Sequence, residues 1–242
     1  MSLTPRSRDR IRRDWADRLD CAPTAFEQQG VTLVKPTNDR TVRLLRRGDA
    51  TIVAAPPAIR EALADRTHAV ARWPLVDADG LLERALEQRT EAVKTAHPPV
   101  VLAYVDAASF TPVASDAQLL EQDDAKAFES LRERIPAEEW ARASPTFRPG
   151  RTAGLFRDGG LVAAATLGTG ALPDVGVVVA PASRNEGLGR AVVSRVLEAA
   201  FEENSELLPR YRTPETAAAS SALAAALGFE RWASEAVVVL ED

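Results

Sequence analysis

The sequence predicts an α/β protein in which short strands build a sheet flanked by helices. Three observations predict it. Short β-like runs alternate with helical stretches along the 242 residues. One apolar run, DVGVVVA at 174–180, leads through a glycine-containing loop directly into a long amphipathic segment. The chain then closes on another apolar run, FERWASEAVVVL at 229–240, after a helix stopped by Gly228.

The elements follow in order. Ile11, Trp15 and Leu19 recur every four residues and predict an amphipathic helix docked on its own protein. Asp9, Asp14, Asp17 and Asp20 offset the neighbouring arginines, which disfavours a membrane-surface helix. VTLVK (31–35), TVRLL (41–45) and ATIVAA (50–55) read as strands separated by Asn-Asp and Arg-Gly-Asp turns. Pro56 and Pro57 end the third and begin a helix over 59–65. A further helix is expected over 78–93, and Pro98-Pro99 lead into a buried strand at 100–106. SFTPVASD (109–116) reads as a boundary.

The second series starts with a strand at 117–122, then helices at 123–135 and 138–143. Asp158-Gly159-Gly160 joins two apolar runs as a hairpin over 151–169. Residues 187–203 form a helix with Val193, Val196, Leu197 and Ala200 on one face. Pro209 interrupts a strand at 207–212. The last helix, about 214–227, presents Ala219, Ala222, Leu223, Ala226 and Leu227 on one face.

Composition narrows the function. Thirty basic and 35 acidic residues give a net charge of −5, which disfavours a broad nucleic-acid surface. Cys21 stands alone, so an intrachain disulfide and a Cys-based zinc site are excluded, and His68 and His97 are the only histidines. No metal is expected. No run reaches the roughly 18–20 apolar residues of a membrane span. The first twenty residues are charged throughout, and the expected location is the cytoplasm.

The chemistry concentrates at 174–193. Behind the apolar strand, Ser183-Arg184-Asn185-Glu186 runs into Gly187-Leu188-Gly189 and a helix. The first amides of a helix lack intrahelical partners, and the macrodipole places partial positive charge there. Two glycines allow close approach to the backbone, and Arg184 and Arg190 add bidentate donors. A pyrophosphate fits such a site. The Gly-Lys-Ser/Thr of a P-loop is absent, and Val192 stands where a dinucleotide fingerprint needs its third glycine.

Arg184-x-x-Gly187-x-Gly189, behind the strand VGVVV, resembles motif A of the GNAT N-acetyltransferase superfamily. AAASSALAAALGF (217–229) is similar to its motif B, and the element order agrees over about 116–240. The resemblance implies a mixed central sheet flanked by helices, with a GNAT domain at 113–242. Residues 1–112 then form an N-terminal α/β accessory domain, either unrelated or a reduced half of the same architecture. It implies an acetyl-CoA-dependent N-acetyltransferase acting on a primary amine of a small molecule or peptide, as monomer or homodimer. Val177, Val178 and Val179 would pair with the pantetheine arm. The amides of Asn185, Glu186, Gly187, Leu188, Gly189 and Arg190, with the side chains of Arg184 and Arg190, would hold the pyrophosphate. Ser220 would reach the cofactor.

Two departures bear on catalysis. Ala217 replaces a frequent Asn, and Ala224 stands where many relatives carry the Tyr that protonates the thiolate. Tyr211 is the substitute acid the sequence offers, with core packing as its alternative role. Asp174 is the candidate base and Glu121 the weaker alternative. The departures also keep a second reading open, a catalytically silent CoA-binding sensor or interaction module.

Overall fold

The computed structural model describes residues 2–78, 80, 81 and 93–240. Most of the helix expected over 78–93 therefore lies outside the described residues. The chain divides into two compact units. One, the motif unit, comprises Met1–Ser7, Ala103–Arg212 and Ala217–Glu230. The other, the accessory unit, comprises Arg8–Leu102, Thr213–Thr216 and Arg231–Asp242.

Helix α1 (Pro5–Leu19) buries Ile11, Trp15 and Leu19, the residues its four-residue spacing singled out. In the accessory unit Trp15 stacks on Trp232 at 5.9 Å, and Phe26 tilts against the same indole at 5.4 Å. Strands β1 (Gly30–Val34), β2 (Thr41–Arg47) and β3 (Ala50–Ala54) follow. β3 pairs parallel with β1 and antiparallel with β2, from which the Gly48-Asp49 turn separates it. Pro57 opens α2 (Pro57–Ala64), where its missing N–H costs no helical bond. α2 and α3 (Thr67–Arg72) send Ile59, Leu63 and Val70 into a core with Val42, Leu44 and Val53. The final strand β10 (Glu230–Leu240) closes this core by pairing antiparallel with β2, Val238 opposite Val42.

β4 (Val93–Tyr104) starts earlier than the sequence suggests and contains Pro98 and Pro99. Proline fits an extended φ and loses only its donor; the Pro99 carbonyl still accepts from the Glu215 N–H at 3.1 Å. The strand order is β1-β3-β2-β10-β4-β9, with β9 at Arg210–Pro214.

The motif unit holds a second, antiparallel sheet, β5-β6-β7-β8. β5 is only Gln118–Leu119, shorter than the expected 117–122. β6 (Thr152–Arg157) and β7 (Gly160–Leu167) form the predicted hairpin, and Asp158 and Gly159 both take positive φ (49° and 77°) as a two-residue hairpin turn requires. β8 is Val175–Val179. β7 is buried almost throughout, which explains its unalternating GLVAAATL: helices cover both faces. Helices α4 (Ala125–Arg134) and α5 (Ala137–Ala143) lie on one side, where Phe128 and Leu131 meet Leu120, Ala164 and Val178. α6 (Leu188–Glu203) lies on the other, with Val192, Val193, Val196 and Leu197 packed on Ala163, Ala165 and Leu167.

α7 (Ala218–Ala226) turns a different face inward than its sequence suggests. Ala224 and Leu227 are buried and Ser220 and Leu223 half-buried, whereas Ala219, Ala222 and Ala226 are exposed. A run of Ala and Ser is small and apolar all round, so periodicity cannot phase it. Gly228, at φ +88°, ends the helix where any Cβ would run into the Ser109 carbonyl. Residues 109–116 lie within this unit: the Thr111 N–H donates to the Leu227 carbonyl and the Val113 N–H to Ser194 Oγ at 2.8 Å. Nearby, the buried Asp106 carboxylate accepts from the Thr4 N–H, Ser7 Oγ and the Ser109 N–H at 2.6–2.9 Å. Burial works to raise its pKa, but these bonds outweigh it and hold the group at about 2.

Candidate functional site

Among the described residues β8 carries a ladder on one edge only. The Ala180 N–H donates to the Val162 carbonyl at 2.8 Å, and the Gly168 N–H to the Asp174 carbonyl at 2.9 Å. Antiparallel bonding alternates by residue, so Asp174, Gly176, Val178 and Ala180 turn their backbone groups to β7. Val175, Val177 and Val179 turn theirs the opposite way. The neighbour on that side is β9, and the two strands meet at a single parallel bridge, Asp174 with Arg210. The Arg210 N–H donates to the Pro173 carbonyl at 2.8 Å. Beyond that point no ladder joins them among the described residues, and the edge at Val177 and Val179 is open. Pro209 stands just before β9, its carbonyl taken by the Val105 N–H.

The three valines expected to face the pantetheine arm divide by the direction of their backbone groups. Val177 and Val179 present backbone groups to the open edge, and the Val179 carbonyl already accepts from Arg184 Nε at 3.4 Å. Val178 faces β7 with its backbone and α4 with its side chain. Gly176 is required for close approach: a Cβ there would meet the Ala143 carbonyl at 2.7 Å.

The strand runs into a short turn of 3-10 helix, Pro181–Ser183, and then the loop 184–187. Asn185 and Gly187 both adopt positive φ, 65° and 79°, and Gly187 caps α6. Its first intrahelical bond is the Ala191 N–H to the Gly187 carbonyl. The amides of Leu188, Gly189 and Arg190 thus precede the helical ladder, and no side chain caps them. Gly189 packs tightly: a Cβ would lie 3.0 Å from Leu223 and 3.5 Å from Val179. A glycine here brings the helix N-terminus down onto the open-edge valines.

The charges around this loop differ from the sequence expectation. Arg184 is ion-paired with Glu139 of α5 at 2.5 Å, and Glu186 with Arg157 at the hairpin end. Arg190 is exposed, with no ion pair among the described residues. Glu139 and Arg157 carry no sequence signal that would mark them, because both partners are distant in the chain.

Asp174 and Arg210 form a two-bond ion pair, Nε to Oδ1 at 2.6 Å and Nη2 to Oδ2 at 2.8 Å. Arg210 is buried. Burial works to lower its pKa, but Asp174, and Tyr104 more weakly, raise it and hold the guanidinium charged. Glu121 caps the turn before α4 in a reciprocal capping box with Asp124. On the inward face of α7, Ser220 Oγ lies 2.9 Å from the Tyr211 hydroxyl. The Tyr211 ring packs on Phe229 at 5.5 Å, and burial pushes its pKa up. Ala224 is buried and Ala217 is the uncapped start of α7.

No family model and no curated protein matches the chain. Among solved structures it is similar to a GCN5-related N-acetyltransferase from Kribbella flavida, 18% identical, covering 99% of this chain and 96% of that one, with a TM-score of 0.49. It is similar also to a GNAT-family acetyltransferase from Novosphingobium aromaticivorans, 20% identical over 63% of this chain and 68% of the other, with a TM-score of 0.47. Many of the solved structures it resembles are described as GNAT-family N-acetyltransferases. A third, an aminoglycoside N-acetyltransferase solved with CoA, is 17% identical over 48% of this chain and 92% of the other, with a TM-score of 0.36. At these identities the likeness is one of fold. Among the described residues no helix is long and apolar enough to cross a membrane, and no group of three His, Cys, Asp or Glu stands together to hold a metal ion.

Proposed function

We propose that the motif unit, which holds most of residues 113–242, binds acetyl-CoA and transfers its acetyl group to a primary amine, the other unit being accessory. The carrying observation is one continuous feature: an open strand edge at Val177 and Val179 that leads directly to three unsatisfied amides at Leu188–Arg190. The residues fit the cofactor. Its arm is an extended chain with amides, which an unpaired β edge can pair. Its pyrophosphate is an anion, which a helix N-terminus favours. Arg184 is shared with Glu139, but both side chains are 40% exposed, and such pairs are worth only about 0–1 kcal/mol, so an anion can replace the glutamate.

When bound, the cofactor supplies an acyl thioester. The backbone N–H groups of the open edge then stand available to an oxyanion. The attacking nitrogen loses a proton and the departing sulfur gains one. Tyr211 keeps its proton through burial and is paired with Ser220, so the two hydroxyls form the proton-donating group we assign to the sulfur. Asp174 is held through both oxygens by Arg210, so each oxygen already accepts a hydrogen bond. We assign it the role of holding β8 beside β9 where they part. The reading of a silent binder draws on Ala217 and Ala224, positions that lack the usual side chains.

Thiol release from acetyl-CoA against a panel of small and peptide amines tests the reading. The full chain is expected to release thiol with at least one acceptor. Tyr211→Phe keeps the packing on Phe229 and is expected to lower kcat by about 10- to 100-fold. Tight CoA binding with no thiol released by any amine would establish the silent binder instead.

A further inference from the structure

The accessory unit contains a cavity of about 480 Å³, lined in part by Arg46, Arg47, Glu215, Arg231, Trp232 and Ser234, all of that unit. Its charged lining consists of three arginines and one glutamate.

All three arginines are held in place, Arg47 by donating Nη1 to the Phe26 carbonyl at 3.0 Å and lying over the Trp232 ring. Arg46 Nε donates to Thr51 Oγ1 at 3.3 Å, and Nη2 to the Val70 and Trp73 carbonyls at 3.2 and 2.8 Å. Every acceptor is neutral, and among the described residues no carboxylate lies within ion-pair distance of Arg46. Among the described residues its Nη1 has no hydrogen-bond partner. Partial burial opposes its charge, and Glu215 supports it only from further away. Arg231 Nη2 donates to Glu215 Oε1 at 2.8 Å and Ser234 Oγ at 2.5 Å, and among the described residues its Nε and Nη1 have no partner. Ser234 Oγ also donates to the same Glu215 oxygen at 2.6 Å. Glu215 Oε1 is therefore occupied, which disfavours a cationic ligand. A half-buried guanidinium with only neutral acceptors gains from an anion, and a fixed fork is preorganised to bind one.

We propose that this cavity binds a small dianion, the chemistry shared by a phosphate monoester and a short dicarboxylate, with Arg46 and Arg231 as its donors. The site is independent of the acetyl-CoA reading.

The test uses the full chain carrying Arg190→Glu, so that the anion site at α6 is silenced. Inorganic phosphate and succinate are titrated at constant ionic strength, followed by calorimetry and by the Trp232 indole resonance. Saturable binding that shifts this resonance is expected for at least one probe. Phosphate alone assigns the monoester, and succinate alone the dicarboxylate. Arg46→Gln and Arg231→Ala are each expected to weaken binding by about tenfold or more. If Arg46→Gln does not fold, Arg231→Ala decides, because that side chain is 63% exposed. Binding of neither probe, binding unchanged in Arg231→Ala, or binding that leaves the Trp232 resonance unmoved overturns the proposal.

Discussion

Arg190→Glu is expected to raise the Kd for acetyl-CoA about 30-fold, from loss of a charge-assisted contact of about 2 kcal/mol at an exposed position. The direction follows from the loop. Arg184 and Glu186 are each paired with a neighbour of opposite charge, whereas Arg190 is exposed and has no ion pair among the described residues. It sits in the first turn of α6, beside the amides that precede the helical ladder. A glutamate there opposes the anion directly, although it suits the helix dipole, so the fold itself is not harmed. At acetyl-CoA concentrations near 100 times the original Kd, the native chain gains about 2.7 kcal/mol, or about 5–10 °C in Tm. The variant keeps about 0.9 kcal/mol of that. A thermal melt with and without acetyl-CoA reads the difference. An unchanged shift would place the pyrophosphate elsewhere.

The second large effect concerns the point where β8 and β9 part. Asp174→Asn strips the charge from the partner of a buried guanidinium. Two charge-assisted bonds are at stake, discounted because the Asp174 side chain is 51% exposed, and the expected loss of stability is about 2–3 kcal/mol. Combining it with Arg210→Met removes the orphaned charge and is expected to recover more than about 1 kcal/mol. KM for acetyl-CoA rises as the strands lose their fixed junction, while the pH profile of kcat keeps its shape. A general base would behave differently: stability would hold, kcat would fall about 100-fold or more, and the acidic limb of the profile would vanish. Urea melts and kcat profiles of the same variants separate the two roles.

Features set by neighbours in the chain were legible from the sequence. The Asp158-Gly159 turn, the Ile11-Trp15-Leu19 stripe and the glycine loop before α6 each depend on residues a few positions apart. Long-range pairing was not. Nothing local ties β10 to β2, Asp174 to Arg210 36 positions away, or Arg184 to Glu139. α7 was misphased because alanine and serine offer no contrast between faces. The choice of Val177 and Val179 over Val178 needs the register of β7 on β8, which only the folded sheet supplies.

Hydrogen exchange of the full chain with and without CoA tests the central claim most directly, because it reads the backbone donors themselves. The amides of Val177, Val179, Leu188, Gly189 and Arg190 are predicted to exchange readily in the free chain and to slow together when CoA binds. CoA that binds while these five amides exchange as before, or that slows a different set, would contradict the account.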